Sequence, residues 1–171
     1  LSQDVGNEQL QQVWSKLLAG EVTKPGSFSY RTLQATKGLT TKEANAFVKL
    51  CSFAFQIEGS YIFPSLGHDY YEYIRNNGLS TEMETHLKNI GLLSHSEIYQ
   101  QPDDESEELI SVTYFSNQYY LKAVPDEIKD GSLAYFPLTE MGNELANISG
   151  AEKNEEYISL LMNCGKLTLK T

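Results

Sequence analysis

Apolar side chains recur at helical spacing near the start of the chain. Over residues 7–20 they fall at positions i, i+3, i+4, i+7 and i+8, which places them on one face of an α-helix. The five positions are Leu10, Val13, Trp14, Leu17 and Leu18. We therefore predict an amphipathic helix, with Trp14 mostly buried against the rest of the protein.

Two further helices follow in the pattern. Ser27 or Ser29 can cap a short helix that comes after a Pro-Gly turn and ends at a glycine. Thr40 and Glu43 then have the spacing of a capping box, which opens a third helix that extends to about Ile57. Because apolar side chains surround this helix on nearly all sides, we expect it to lie at the centre of the fold.

Beyond the third helix the chain alternates between helical and extended patterns. Four more helices are predicted, at about residues 68–77, 81–90, 139–148 and 153–163. Ser80 or Thr81 can cap the second of these, and Thr139 can cap the third. Short runs rich in β-branched and aromatic residues predict strands. These runs are "LLSHSEIY", "LISVTYF", "QYYLKAV" and "LAYFPL", and "GSYIFPSLG" predicts a short strand or an extended linker.

These elements predict an α+β protein that is mostly helical. We expect an N-terminal helical lobe over residues 1–58. An acidic, winged-helix-like lobe over residues 59–171 should follow, with a small antiparallel sheet and C-terminal helices. The same pattern also allows both parts to form one compact domain. The first residue is Leu1 rather than Met, so we expect the chain to be a domain of a longer protein.

Charge distinguishes the two parts. Residues 1–58 hold six basic and five acidic side chains, whereas residues 59–171 hold seven basic and 18 acidic ones. DNA, RNA and anionic bilayers bind basic surfaces, so this acidity argues against all three as partners.

The sequence shows no membrane-span or signal-peptide pattern, and Cys51 and Cys164 show no disulfide framework. We therefore predict reduced thiols and a cytoplasmic location.

Two stretches near the N-terminus carry a distinctive order. "VWSKLLAGE" and "KPGSFSYRTL" place a Trp-containing helix before a Pro-Gly-Ser turn and an Arg-Thr-Leu helix. This order resembles an uncharacterised bacterial family of domains of unknown function. The resemblance implies a bacterial, mostly helical protein with a longer N-terminal portion and no catalytic residues. Within it, Arg31 is a candidate binding residue for a carboxylate or phosphate. The alternative is a structural role, in which Arg31 pairs with Glu21 or with a carbonyl group.

The second half resembles winged-helix regulators in the order of its elements. "HLKNIGLLSH", the polar loop "QPDDESEE", paired strands and "PLTEMGNEL" follow one another. The resemblance implies a recognition helix that begins at Thr81. Residues 80–125 hold eight acidic and only two basic side chains, however, so the cations that displace counterions from DNA are missing. We therefore keep a winged-helix DNA-binding regulator as the alternative function, and we expect the acidic loop to be solvated.

The sequence contains no catalytic or cofactor motif. Nucleophile elbow, P-loop and dinucleotide fingerprint are all absent from it. Glu82 and His86 share one helix face and His95 follows, but this loose spacing favours a surface acid–imidazole pair over a metal site. We therefore predict no enzyme activity, no cofactor, no metal and no identifiable small-molecule ligand.

Tyrosines cluster in "DYYEYI" and "QYYLKA". Adjacent residues of a helix diverge, so Tyr70, Tyr71 and Tyr73 are not expected to face a single core together. Tyrosine is common in protein interfaces, which makes these three candidate binding residues. The alternative is that they line a small core with their hydroxyls near water. We predict a non-catalytic protein-interaction or oligomerisation module whose partner is another protein or a second copy.

Overall fold

The described residues form seven helices and one seven-stranded sheet. A computed structural model describes residues 2–102, 109–122 and 132–169, with the backbone course alone at residues 2–10, 13 and 14. The helices are α1 (Ser2–Thr23), α2 (Tyr30–Gly38), α3 (Thr41–Cys51), α4 (His68–Asn76), α5 (Thr81–Asn89), α6 (Glu140–Ala146) and α7 (Glu155–Asn163). The strands are β1 (Phe55–Ile57), β2 (Ser60–Pro64), β3 (Ile98–Gln100), β4 (Leu109–Tyr114), β5 (Asn117–Lys122), β6 (Leu133–Pro137) and β7 (Leu167–Leu169).

The sheet is larger than the sequence predicted, and the predicted fold class is wrong. The strands lie in the order β3-β6-β2-β1-β4-β5-β7, and every neighbouring pair is antiparallel. The strands expected to form a small wing are joined through β1 and β2 into one continuous sheet. The protein is therefore a sheet-rich α+β fold rather than a mostly helical one with a winged-helix-like lobe.

The error arose at residues 55–64. The predicted third helix ran to Ile57, but α3 ends at Cys51 and the next apolar run forms β1. A short apolar run fits a buried strand as well as a buried helix. Glu58 and Gly59 have φ values of 50° and 82°, which suit the two-residue turn of a β-hairpin. This turn pairs β1 with β2 at the middle of the sheet.

One face of the sheet packs against helices. In β4 the side chains of Ile110, Val112 and Tyr114 are buried, while the residues that alternate with them are half-buried. The Tyr114 ring lies 6.1 Å from the ring of Tyr157 in α7. Tyr157 also lies 5.7 Å from the ring of Tyr70 in α4. An aromatic cluster therefore joins the sheet to two helices.

The hydrophobic core draws on both predicted lobes. Leu17 and Phe47 from the first range belong to one buried cluster with Ile62 and Tyr157 from the second. The division into residues 1–58 and 59–171 itself stays a prediction. The prediction that Trp14 is buried falls on a side chain outside the described part of the structure.

Helix caps are the feature that the sequence predicted most closely. The Ser29 hydroxyl accepts a hydrogen bond from the Thr32 amide at 3.2 Å and caps α2. Ser80 and Thr139 cap α5 and α6 in the same way. These caps are confirmed because each depends on residues three positions apart and on little else in the fold.

The capping box of α3 also ties that helix to α5. Glu43 accepts hydrogen bonds from the Thr40 amide at 2.6 Å and from the Thr40 hydroxyl at 2.8 Å. Its other carboxylate oxygen lies 2.6 Å from Nε2 of His86 in α5. Burial alone would raise the pKa of Glu43, but the hydrogen bonds from His86 and Thr40 outweigh it and lower the pKa. The ionised carboxylate therefore stabilises the fold.

Acid should weaken this contact. Because the pKa of Glu43 is lower in the folded state, its contribution of about 1 kcal/mol is complete above the unfolded-state value of about 4.3 and is lost as pH falls through the folded-state pKa. The Glu43→Gln variant should therefore lose less stability than the wild type when urea unfolding is compared at neutral and acidic pH. Glu72→Gln, at an exposed position of α4, should follow the wild type. Identical pH dependence in all three proteins would contradict this assignment.

Gly142 allows α6 to approach the chain that follows α5. A Cβ atom at this position would overlap the carbonyl oxygen of Leu92 and lie 3.1 Å from the Cβ of Leu138. Thr139 adds a hydrogen bond from its hydroxyl to the Gly91 carbonyl at 2.5 Å. The close contact is with backbone, which cannot move aside as the end of a side chain can.

Gly142→Ala should therefore lower the free energy of unfolding by about 3 kcal/mol. Gly38→Ala is the matched control, because a Cβ there meets open space at the end of α2. It should leave stability unchanged or raise it slightly, since alanine favours a helix over glycine. Urea denaturation ranks the two variants, and equal stability would disprove the close contact.

Candidate functional site

A large open groove runs along α3. It has a volume of about 1430 Å³ and lies between α3, the turn from α4 to α5 and the segment that leads into α7. Gln12 of α1 lines one edge. We call this feature the α3 groove. It is larger than the roughly 300–1,000 Å³ of a typical small-molecule pocket.

Basic and acidic side chains line it on different elements of the fold. Lys42 and Lys49 of α3 and Arg75 of α4 form what we call the basic wall. Within the described part of the chain, none of these three cations lies within 4 Å of a carboxylate. What we call the acidic wall lies on the segment that leads into α7 and on the first turn of that helix. It consists of Glu152, Glu155 and Glu156, around Lys153, whose ammonium lies 3.0 Å from Glu155.

The spacing of α3 sets the basic wall. Lys42 and Lys49 are seven residues apart, which places them on one face about 10.5 Å apart along the helix axis. The Lys49 ammonium lies 5.3 Å from the centre of the Phe53 ring, close enough for a cation–π contact. Its side chain also passes Gly78, where an added Cβ would lie 3.8 Å from Cε. Gly78 has φ of 99°, so the turn that leaves room for Lys49 favours glycine.

Asn154 positions the acidic wall. Its side-chain oxygen accepts a hydrogen bond from the Tyr157 amide at 2.9 Å and caps α7. The same oxygen accepts a bond from the Tyr73 hydroxyl at 3.3 Å. The backbone amide of Asn154 donates a hydrogen bond to the Tyr114 hydroxyl at 2.9 Å. That hydroxyl in turn donates to the Ser52 backbone carbonyl at 2.7 Å. The segment carrying the acidic wall is therefore fixed to the end of α3.

The three tyrosines predicted as candidate binding residues face inward to different degrees. Tyr70 is buried, and burial raises the pKa of its hydroxyl well above the ordinary value, with the neighbouring Tyr157 adding to the shift. Tyr71 is half-buried, with its hydroxyl 2.5 Å from Oγ of Ser65. Tyr73 is half-buried and stacks on Tyr157 at a centroid distance of 6.3 Å. The structure thus places Tyr70 and Tyr73 in the aromatic cluster, with the Tyr73 hydroxyl bonded to Asn154. Binding through the three tyrosines stays a prediction.

Two buried side-chain atoms have no hydrogen-bond partner among the described residues. They are Oδ1 of Asn45, beside the α3 groove, and the hydroxyl of Tyr70. The Tyr70 hydroxyl is nevertheless close enough to that of Tyr157 to affect its pKa. We regard it as a marginal contact, because its geometry falls outside that of a hydrogen bond.

Arg31 lies apart from these residues. It is exposed in the first turn of α2 and does not line the groove. Glu21, its expected structural partner, accepts hydrogen bonds from the amides of Gly26 at 3.1 Å and Phe28 at 2.8 Å. These hydrogen bonds lower the pKa of Glu21, and the bond from Gly26 has the largest effect. Glu21 therefore shapes the turn between α1 and α2, and binding by Arg31 stays a prediction.

The sequence indicated a surface acid–imidazole pair of Glu82 and His86, but His86 has a different acidic partner in the structure. His86 contacts Glu43 of α3, while Glu82 and His95 are exposed. Among the described residues no group of three or more His, Cys, Asp or Glu side chains could hold a metal ion. Cys51 is buried, and burial raises the pKa of its thiol to about 12. Residues 103–108, most of the acidic loop, lie outside the described residues.

Sequence reasoning did not single out the residues of the two walls. Lys42 and Lys49 carried a usable signal, because their seven-residue spacing puts them on the side of α3 away from buried Phe47 and Leu50. Arg75 carried none, since only tertiary packing brings α4 beside α3. None of the described helices combines the length and apolar character needed to cross a membrane.

A known protein family matches the part of the chain that contains most of these elements. A family described as a protein of unknown function, DUF2806, matches residues 1–162, from α1 to all but the last residue of α7. No curated protein and no solved structure matches the chain significantly. The resemblance of the N-terminal stretches to an uncharacterised domain family is confirmed at this level. The chain belongs to the DUF2806 family.

Proposed function

We propose that the domain is a non-catalytic oligomerisation module of a larger cytoplasmic bacterial protein. The observation that carries this proposal is an exposed apolar stripe on α1. Leu18 and Val22 are 57% and 84% exposed, and they lie four residues apart on one face of the helix. Leu17, on another side of the same helix, is fully buried. Helix α1 therefore presents one apolar side to the core and another to solvent.

The stripe consists of two large apolar side chains, Leu18 and Val22, about one helical turn apart. An exposed apolar row of this kind favours pairing with another helix, because association removes both rows from water. A second copy of the chain supplies an identical row, and a two-fold axis lets the same surface serve both partners. We therefore propose self-association through α1.

Several side chains that could act in catalysis have structural roles instead. The hydroxyls of Tyr114 and Tyr157 donate to the backbone carbonyls of Ser52 and Phe53. The Cys51 thiol, with its pKa raised to about 12 by burial, holds its proton at neutral pH and is a poor nucleophile. These assignments support a non-catalytic role.

Leu18→Glu combined with Val22→Glu should abolish self-association. Two carboxylates on the stripe would have to be buried or would repel their counterparts across the interface. Sedimentation equilibrium over a wide concentration range should show the wild type forming dimers and the variant remaining monomeric. Folding should survive, since substitutions at exposed positions change stability by only about 0.5 kcal/mol each.

The matched control is Ala19→Glu combined with Thr23→Glu. These exposed positions lie on the same helix at the same spacing, about 100° around the helix axis from Leu18 and Val22, and the change in charge is identical. The control should dimerise like the wild type. A wild-type domain that stays monomeric at every concentration, or a control that loses dimers equally, would contradict self-association through α1.

A further inference from the structure

The charges of the α3 groove differ from those of the chain as a whole. Acidic side chains outnumber basic ones by 23 to 13. The basic wall nevertheless brings together Lys42, Lys49 and Arg75, none of which is paired with a carboxylate in the part of the chain that the structure describes. With so many acids available, three cations without a carboxylate partner in one groove indicate a site for an external anionic group.

The acidic wall restricts the kind of molecule to which that anionic group can belong. Glu152, Glu155 and Glu156 line the same groove, and among the described residues only Glu155 has a basic partner within 4 Å, Lys153. A nucleic acid strand carries phosphates along its whole length and would bring some of them near these carboxylates. A protein segment can instead carry carboxylates on one side and neutral or basic groups on the other.

The dimensions also favour a protein segment. At about 1430 Å³ the groove exceeds the usual size of small-molecule pockets. Lys42 and Lys49 stand about 10.5 Å apart along α3, which matches two carboxylates seven residues apart on a partner helix. Arg75 on the same wall can hold a carboxylate through two parallel hydrogen bonds. Helices commonly bind in grooves between other helices.

We propose that the α3 groove binds a helical protein segment with segregated charges. Its carboxylates face the basic wall, and its neutral or basic side chains face the acidic wall. This site is separate from the apolar stripe at Leu18 and Val22, so binding here does not depend on self-association through α1. It provides a second protein contact whose orientation is fixed by charge.

The test uses three fluorescein-labelled probes. The first is a helical peptide with glutamates on one face and lysines on the opposite face. The second has the same composition with the charges mixed around the helix, and the third is a single-stranded DNA of similar length. Fluorescence anisotropy at low salt should show the segregated peptide binding about tenfold more tightly than the other two probes. Added salt should weaken that binding.

Variants locate the site. Lys42→Glu with Lys49→Glu should weaken binding of the segregated peptide at least about tenfold, because both carboxylate partners are reversed in sign. Lys24→Glu with Lys37→Glu makes the same change in net charge at exposed positions that do not line the groove. This control should retain nearly wild-type affinity. Arg75→Ala gives a milder second variant, and circular dichroism checks that each protein is folded.

A charge exchange makes the test specific. The Lys42→Glu, Lys49→Glu protein should bind a peptide whose glutamates are replaced by lysines. The proposal is overturned if no peptide binds, if the mixed peptide or the DNA binds as tightly as the segregated one, or if the control variant loses as much affinity. Because sedimentation reports self-association separately, a dimer that fails to bind peptide would overturn only this second site.

Discussion

The buried hydroxyl of Tyr114 connects the sheet to α3 and α7 through two hydrogen bonds. The Tyr114 side chain rises from β4, donates a hydrogen bond to the Ser52 carbonyl and accepts one from the Asn154 amide, at 2.7 and 2.9 Å. Both partners are backbone groups at helix ends, where intrahelical hydrogen bonds run out. Burial raises the pKa of Tyr114 to about 12, so the hydroxyl keeps the proton that it donates. One side chain thus fixes the end of α3 and the start of α7 to the sheet.

The aromatic cluster reinforces that connection. Tyr157 lies in edge-to-face contact with Phe53 at 5.2 Å, and its hydroxyl donates to the Phe53 carbonyl at 3.3 Å. Tyr73 stacks on its other side and reaches Asn154. The two walls of the α3 groove extend directly from these elements: Lys49 lies in the last turn of α3 and Glu155 begins α7. The same hydrogen bonds that complete the core therefore fix the distance between the basic and acidic walls.

The sequence predicted features that depend on near neighbours. The capping box of Thr40 and Glu43 and the cap at Thr139 are present, because a capping side chain needs only a backbone amide three residues away. The sheet could not be predicted in the same way. Its middle depends on the turn at Glu58 and Gly59, and without it the strands after residue 91 resembled an isolated wing. Sheet order requires pairing between distant segments, which periodicity does not report.

The candidate site divides along the same line. Tyr70 and Tyr73 were placed among possible interface residues because helical spacing alone gives each a different direction. Packing of α4 against α7 places both in the aromatic cluster, and binding through these side chains stays a prediction. The sequence could not predict that Arg75 and Glu152 line one groove, because only tertiary structure brings them together. The exposure of Leu18 was not predictable either, because its spacing places it on the same apolar face as Leu17, which is buried.

The most direct test of the bridge at Tyr114 is the Tyr114→Phe variant, which removes one oxygen atom and keeps the ring. Ser52 and Asn154 would both lose their partner, so the free energy of unfolding should fall by about 2 kcal/mol. Native-state hydrogen exchange should also show faster exchange of the Asn154 amide. Tyr30→Phe, at a side chain that is 74% exposed, serves as the matched control and should change neither quantity. A Tyr114→Phe protein as stable as the wild type, with the Asn154 amide still protected, would contradict this role of the hydroxyl.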